Sequence, residues 1–388
     1  MGTPAYSSSI SREEGFSTQY PPDSPALKHA GIAISRAPPI ASAAKFPLNV
    51  SISLGVMFNI PIEDLSALRE TRWVDIQELA KSPGPISTER YSNTPPEIAS
   101  AISTIHLALL SAIMENNGMG GRERPAQFIY GSPTVAFVSQ IGSPGTSDRE
   151  LKDPPVPNLI SDGAENPLRS RASHQPPKEE ETVRGDAIEQ RDCGWLDGTI
   201  DLADSGRIAS DPSIPANIAF RFPVIQHGEV RARGDRRHAT LSDFCVIDSP
   251  ISLPPWDHVA ECARRIARTI SGIYFAVADQ WAAYKCEPLR PDHIPLCILA
   301  VWDPRSMKFV GFKPPTQLFG STDAVLNYNV LPRIIDSLAN RIFAIPVIRY
   351  FDDFGFTPIA KPCEVALRLI EAFFEILGLR LKVGKSKF

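Results

Sequence analysis

The sequence predicts an α+β fold, a small antiparallel sheet backed by helices, with a largely disordered N-terminal region in front of it. Three observations carry that expectation. Prolines crowd the first 190 residues, which hold 21 of the 37, whereas all six cysteines (193, 245, 262, 286, 297 and 363) come later. Two strand-like apolar runs end on carboxylates, "IYFAVAD" on Asp279 and "IPVIRY" on the Asp352–Asp353 pair. Apolar residues at helical spacing flank them in "DHVAECARRIARTI" and "PCEVALRLIEAFFEIL".

A chain of 388 residues with 43% hydrophobic content has room for one large or two ordinary domains and for a real core. Composition divides it into residues 1–190 and 191–388. The second part holds 24 Lys and Arg against 22 Asp and Glu, a net charge of +2, which leaves −6 on the first part. No bulk charge attracts a polyanion, so a nucleic-acid partner has to be gripped by local clusters. No two cysteines form a CxxC pair, which argues against a zinc site and for buried reduced thiols in an intracellular protein, cytoplasmic or nuclear. The stretch "MGTPAYSSSISREEG" lacks the apolar centre of a signal peptide, and Tyr6 stands where a myristoylation motif needs Ser or Thr. No run approaches the length of a membrane span, so no membrane partner is expected.

Within residues 1–190, two long Pro- and Ser-rich segments bury little and are expected to stay mobile. Between them one helix is expected near 96–116, where Ile98, Ile102, Ile105, Leu109 and Ile113 recur at helical spacing. His106 reads as an ordinary residue of that helix.

From Cys193 onward the elements sharpen. "FRFPVIQHGEVRARGDRRHAT" predicts a basic hairpin turning at His227–Gly228. Residues 257–270 read as a helix with Asp257 as N-cap and Val259, Cys262, Ile266 and Ile270 on one face. A carboxylate at the end of a core strand is costly unless a cation meets it. Asp279, Asp352 and Asp353 pose that problem together, and a divalent cation with hard oxygen ligands solves it. Mg²⁺ binds through one or two carboxylates plus substrate phosphates, so the trio suits phosphoryl transfer assisted by two metal ions, with Mn²⁺ as a substitute.

These residues resemble the motifs of a known family. "YFDDF" is similar to the Tyr-x-Asp-Asp hairpin of reverse transcriptases, and "ADQWAAY" to their first palm motif, an Asp followed five residues later by an aromatic. "LFGSTDAVLNYNVL" resembles the glycine turn and helix set under the templating base pair, "LGLRLKVGKSKF" the next palm motif, and Arg231, Asp235 and Arg237 the fingers pattern. The motifs stand in family order over roughly residues 190 to 388, and their wording resembles DIRS-type retrotransposons most.

The resemblance implies a right-hand polymerase, palm and fingers, adding dNTPs to a primer on an RNA or DNA template. It implies Asp279 and Asp352 as the metal-binding pair, with Asp353 as a third, less direct carboxylate whose bland alternative is a solvated turn. Tyr284 is implied as the gate under the incoming sugar, where a 2′-hydroxyl collides with the ring, so that DNA is made. Arg231 is implied to hold the triphosphate. Gly320 is implied to let backbone approach nucleotide or base, against a plain turn glycine. Lys385 is implied as proton donor to pyrophosphate. Arg233 and Arg236 read as a solvated basic face.

The departures from the family are specific. Phe319 stands where retroviral members often carry Gln, and Pro332 should end or kink the helix after Gly320. The sequence stops at Phe388, directly after the Lys-Ser motif, so the thumb is expected to be missing. Beside an RNA-directed DNA polymerase stands a second expectation, a truncated retroelement relic that keeps the palm without activity. An RNA-making polymerase is disfavoured by Tyr284.

Overall fold

The computed structural model describes residues 46–81, 94–119, 128–134, 136–138, 179–202, 218–226, 228–234, 245–247, 256–269, 275–356 and 363–382. In chain order the elements are α1 (Leu48–Asn59), α2 (Ile62–Lys81), α3 (Pro96–Ala101), α4 (Leu107–Asn116), β1 (Ala136–Val138), α5 (Glu180–Asp192), β2 (Asp197–Asp201), β3 (Ile218–Gln226), β4 (Glu229–Gly234), β5 (Cys245–Ile247), α6 (Trp256–Thr269), β6 (Ala276–Asp279), β7 (Ile298–Asp303), β8 (Lys308–Lys313), α7 (Thr322–Tyr328), α8 (Val330–Phe343), β9 (Val347–Tyr350), β10 (Asp353–Phe356) and α9 (Cys363–Ile376). Helices and sheets are mixed, as the α+β expectation requires.

Two sheets position the site. The first has three antiparallel strands in the order β6-β10-β9. Ala276, Ala278, Phe354, Phe356 and Val347 turn one face of it inward against Leu338, Phe343, Phe373 and Phe374. The second has five strands in the order β2-β8-β7-β3-β4 and ends in the β3–β4 hairpin, whose Gly228 takes φ +80 as a tight turn requires.

The core runs straight across residue 190. Ile98, Ile102, Ile105, Leu109 and Ile113 are all buried as their spacing predicts, and they join the cluster that contains the inner face of the three-stranded sheet. The single helix expected near 96–116 is two helices, α3 and α4, separated by a turn at 102–106. Tertiary hydrogen bonds replace the missing helical ones: the His106 backbone N–H donates to Leu377 O at 3.0 Å, and its Nδ1 lies 2.7 Å from Ile376 O. His106 is therefore the residue that ties α4 to the end of α9, rather than an ordinary helix position. Gly378 permits this contact, because at φ +75 a Cβ there would lie 1.4 Å from Thr104 O.

Helices α1 and α2, which the sequence analysis did not place, brace the opposite side. Arg69 of α2 is fully buried, and its guanidinium donates to Phe343 O at 2.8 Å and Ala344 O at 3.1 Å. A cation there satisfies the last carbonyls of α8 and opposes the negative end of its dipole. Asn49 of α1 donates to Asp336 Oδ1 at 3.2 Å, and the other carboxylate oxygen of Asp336 accepts from Arg349 Nε at 3.2 Å in β9. Burial pushes the Asp336 carboxyl up, opposed by the Arg349 charge.

The remaining expectations shift by small amounts. Helix α6 begins at Trp256, so Asp257 lies in its first turn rather than at its cap, and Cys262 and Ile266 are fully buried. The break expected from Pro332 falls at Asn329, which leaves the proline in the first turn of α8, where its missing N–H costs no helical bond. Among the described residues no helix is long and apolar enough to cross a membrane.

Arg69→Ala removes two charge-assisted bonds from a fully buried helix end. Equilibrium denaturation should show a loss of about 3 kcal/mol in one cooperative transition. A separate early transition would show instead that α2 folds apart from the sheet.

Candidate active site

The site starts from a strand register. β6 and β10 run antiparallel with Asp353 opposite Asp279, Phe354 opposite Ala278 and Gly355 opposite Val277. Side chains directly across an antiparallel pair share a face. Since Ala278 and Phe354 point inward, Asp279 and Asp353 share the other face, where Val277 is 40% exposed. Asp352 joins them at the hairpin tip, its carbonyl accepting the Gln280 N–H at 3.0 Å. The tip is tight because Phe351 takes φ +54, a left-handed conformation that costs a residue with a side chain about 1 kcal/mol. Asp279 and the Asp352–Asp353 pair, far from it in sequence, thus meet at one end of one sheet.

The donor set suits a hard divalent cation, since carboxylate oxygens are the ligands Mg²⁺ prefers. Among the described residues, however, no group of three or more His, Cys, Asp or Glu side chains is gathered so as to hold a metal ion. Asp279, Asp352 and Asp353 are the residues that could offer carboxylate oxygens to such a cation.

Beside the carboxylates stands an aromatic wall. Tyr284 lies in a 3₁₀ turn (Ala283–Cys286) entered through Ala282 at φ +53. Its ring meets Phe319 edge-on at 5.4 Å between centroids and Tyr328 at 4.9 Å. Tyr328 is fully buried and donates its hydroxyl hydrogen to Gln280 Oε1 at 2.7 Å, which fixes the wall to the residue after Asp279. Burial, then the Asp352 charge, push the Tyr284 phenol up to about 12, with Arg233 opposing.

The cation that reaches this wall is Arg233, which the sequence analysis assigned to a solvated face. Its guanidinium lies 4.2 Å above the Phe319 ring, and burial, then the neighbouring Arg231 charge, hold its pKa below the usual arginine range. Arg231 instead approaches Glu229 at 3.7 Å with both side chains well exposed. The two arginines share a strand face, but Arg233 is a full strand repeat nearer to Gly234, whose carbonyl adjoins the turn at Gly320. Gly320 takes φ +100, and a Cβ there would meet that carbonyl at an ordinary 3.8 Å. The backbone turn, rather than a close approach, requires its glycine. Lys385, Asp235 and Arg237 lie outside the described residues.

Sequence reasoning also missed Glu287. It follows the Tyr284 turn, is 2% exposed, and accepts the Ser132 hydroxyl hydrogen on Oε1, while its other carboxylate oxygen is buried with no hydrogen-bond partner among the described residues. Its backbone carbonyl accepts the Gln317 N–H at 2.7 Å, which joins the tyrosine turn to the chain entering Gly320. Burial pushes its carboxyl up to about 8, with the Ser132 bond opposing.

Because the folded pKa of Glu287 is raised, its contribution to stability is full below the unfolded value of 4.5 and is lost as pH rises toward about 8. Over that window the loss should run at about 1.4 kcal/mol per pH unit. Glu287→Gln, which imitates the protonated acid, should remove this slope in denaturation measured from pH 5 to 8; an unchanged slope contradicts a proton held there. A scan against protein-family models gives no match for the chain, and no curated protein matches it.

Proposed function

We propose that the chain is the palm and fingers of an RNA-directed DNA polymerase, transferring nucleotides from dNTPs to a primer 3′-hydroxyl. The observation that supports this reading is the Asp279–Asp353 register, with Asp352 next to it at the hairpin tip. In the transfer the hydroxyl oxygen bonds to the α-phosphorus, the α–β anhydride bond breaks, pyrophosphate leaves and the hydroxyl proton passes to solvent. Divalent cations held by Asp279 and Asp352, with Asp353 in support, would neutralise the triphosphate and make the hydroxyl a better nucleophile.

The chain's own residues divide the remaining work. Arg233, half-buried against Phe319, is placed to meet triphosphate oxygens with a guanidinium fork. Tyr284, neutral at physiological pH and held by two rings, presents a fixed edge to the sugar and so favours deoxynucleotides. A second reading is a relic that keeps the palm without activity.

Primer extension on an RNA template with Mg²⁺ separates the two. The proposal expects extension by the wild type and a loss of about a hundredfold or more in Asp352→Asn. Normal folding with no extension by either protein supports the relic. Arg233→Ala should raise the KM for dNTP about tenfold while Arg231→Ala changes it little. Tyr284→Ala should narrow the preference for dNTP over rNTP; an unchanged ratio removes the gate from the account.

A further inference from the structure

Two tryptophans meet next to the carboxylate end of β6. Trp281 lies two residues past Asp279 and is 39% exposed, although indoles of its size are usually covered. Trp195, in the turn after α5, meets it with ring centroids 4.8 Å apart and planes inclined by 55°. The Arg380 guanidinium lies 5.6 Å from the Trp281 ring. Backbone pairing ties the strand end to the segment after α9. Trp281 N–H donates to Arg380 O at 2.9 Å, Lys382 N–H donates to Asp279 O at 2.7 Å, and Gln280 bridges to Leu381. Gln280 turns inward to Tyr328, which leaves Trp281, Arg380 and Lys382 facing solvent beside the carboxylates.

The cluster stands apart from the buried core, and among the described residues neither indole belongs to a buried cluster of that core. Exposed aromatic rings flanked by cations form a surface on which unpaired bases stack while their phosphates meet the charges. The chain carries a net charge of −4, so attraction for a polyanion has to come from such a local pairing of rings and cations.

We propose that Trp195, Trp281, Arg380 and Lys382 form a binding site for single-stranded nucleic acid, stacking an unpaired base on the indoles and holding its phosphates on the two cations. The site lies beside the residues proposed for nucleotide transfer but does not require that transfer to occur.

Fluorescence anisotropy of a labelled oligothymidylate of about twelve nucleotides tests this on the full chain, without Mg²⁺ or nucleoside triphosphates, so the result is independent of primer extension. Binding should quench tryptophan emission. Trp281→Ala and Arg380→Ala should each weaken affinity about fivefold or more, while Trp281→Phe keeps most of it. Arg380→Ala should also lower the slope of log affinity against log salt by about one. Both side chains are exposed, and unchanged thermal transitions will show that the variants fold. The proposal is overturned if all variants bind as the wild type does, or if free dTTP quenches and competes as well as the strand at equal nucleotide concentration.

Discussion

The pairing of β6 with β10 is the constraint on which the rest of the structure depends. Ala276, Ala278, Phe354 and Phe356 supply its driving force, because their inner face seals against α8 and α9. The same register that buries them sets Asp279 opposite Asp353 on the other face. A slip by one residue would send the carboxylates into the core and the phenylalanines into water, so the hydrophobic pattern specifies the charged pair. Like charges side by side cost energy, and that cost is the physical reason to expect a cation at this place.

The helices before residue 190 act on this pairing from behind. Asn49 orients Asp336, Asp336 holds Arg349, and Arg349 lies in β9 directly across from Phe354. The amide of Asn340 closes the start of β9 by bonding Val347 O at 3.0 Å and accepting Val347 N–H at 3.3 Å. On the other flank, Thr104 and His106 clamp the end of α9 through Gly378. The hairpin that carries Asp352 is thus supported by residues nearly 250 to 300 positions earlier in the chain.

The sequence made some of this plain and concealed the rest for identifiable reasons. The β9–β10 hairpin, the β3–β4 hairpin and α9 were readable because each combines a clear period with a turn or cap residue. Helix α1 was hidden by Val50, Ile52 and Val56, β-branched residues that favour strands, and by Gly55. Helix α2 was hidden because its inward positions are Leu65, Arg69 and Ile76, and an arginine in that stripe breaks the apolar pattern. A motif gives spacing along a strand, and could not show that the Arg233 guanidinium lies over the Phe319 ring. A lone Glu287 among prolines has no periodicity to report its burial. The two tryptophans, 86 residues apart, meet only through the fold.

The central claim is that Asp279 and Asp352 act on the same divalent ion. Titration of the protein with Mn²⁺, following the free ion by electron paramagnetic resonance, tests it most directly. The account predicts that the wild type removes free Mn²⁺ and that Asp279→Asn and Asp352→Asn each abolish most of that uptake. Equal uptake by all three proteins, or none by the wild type, would contradict it.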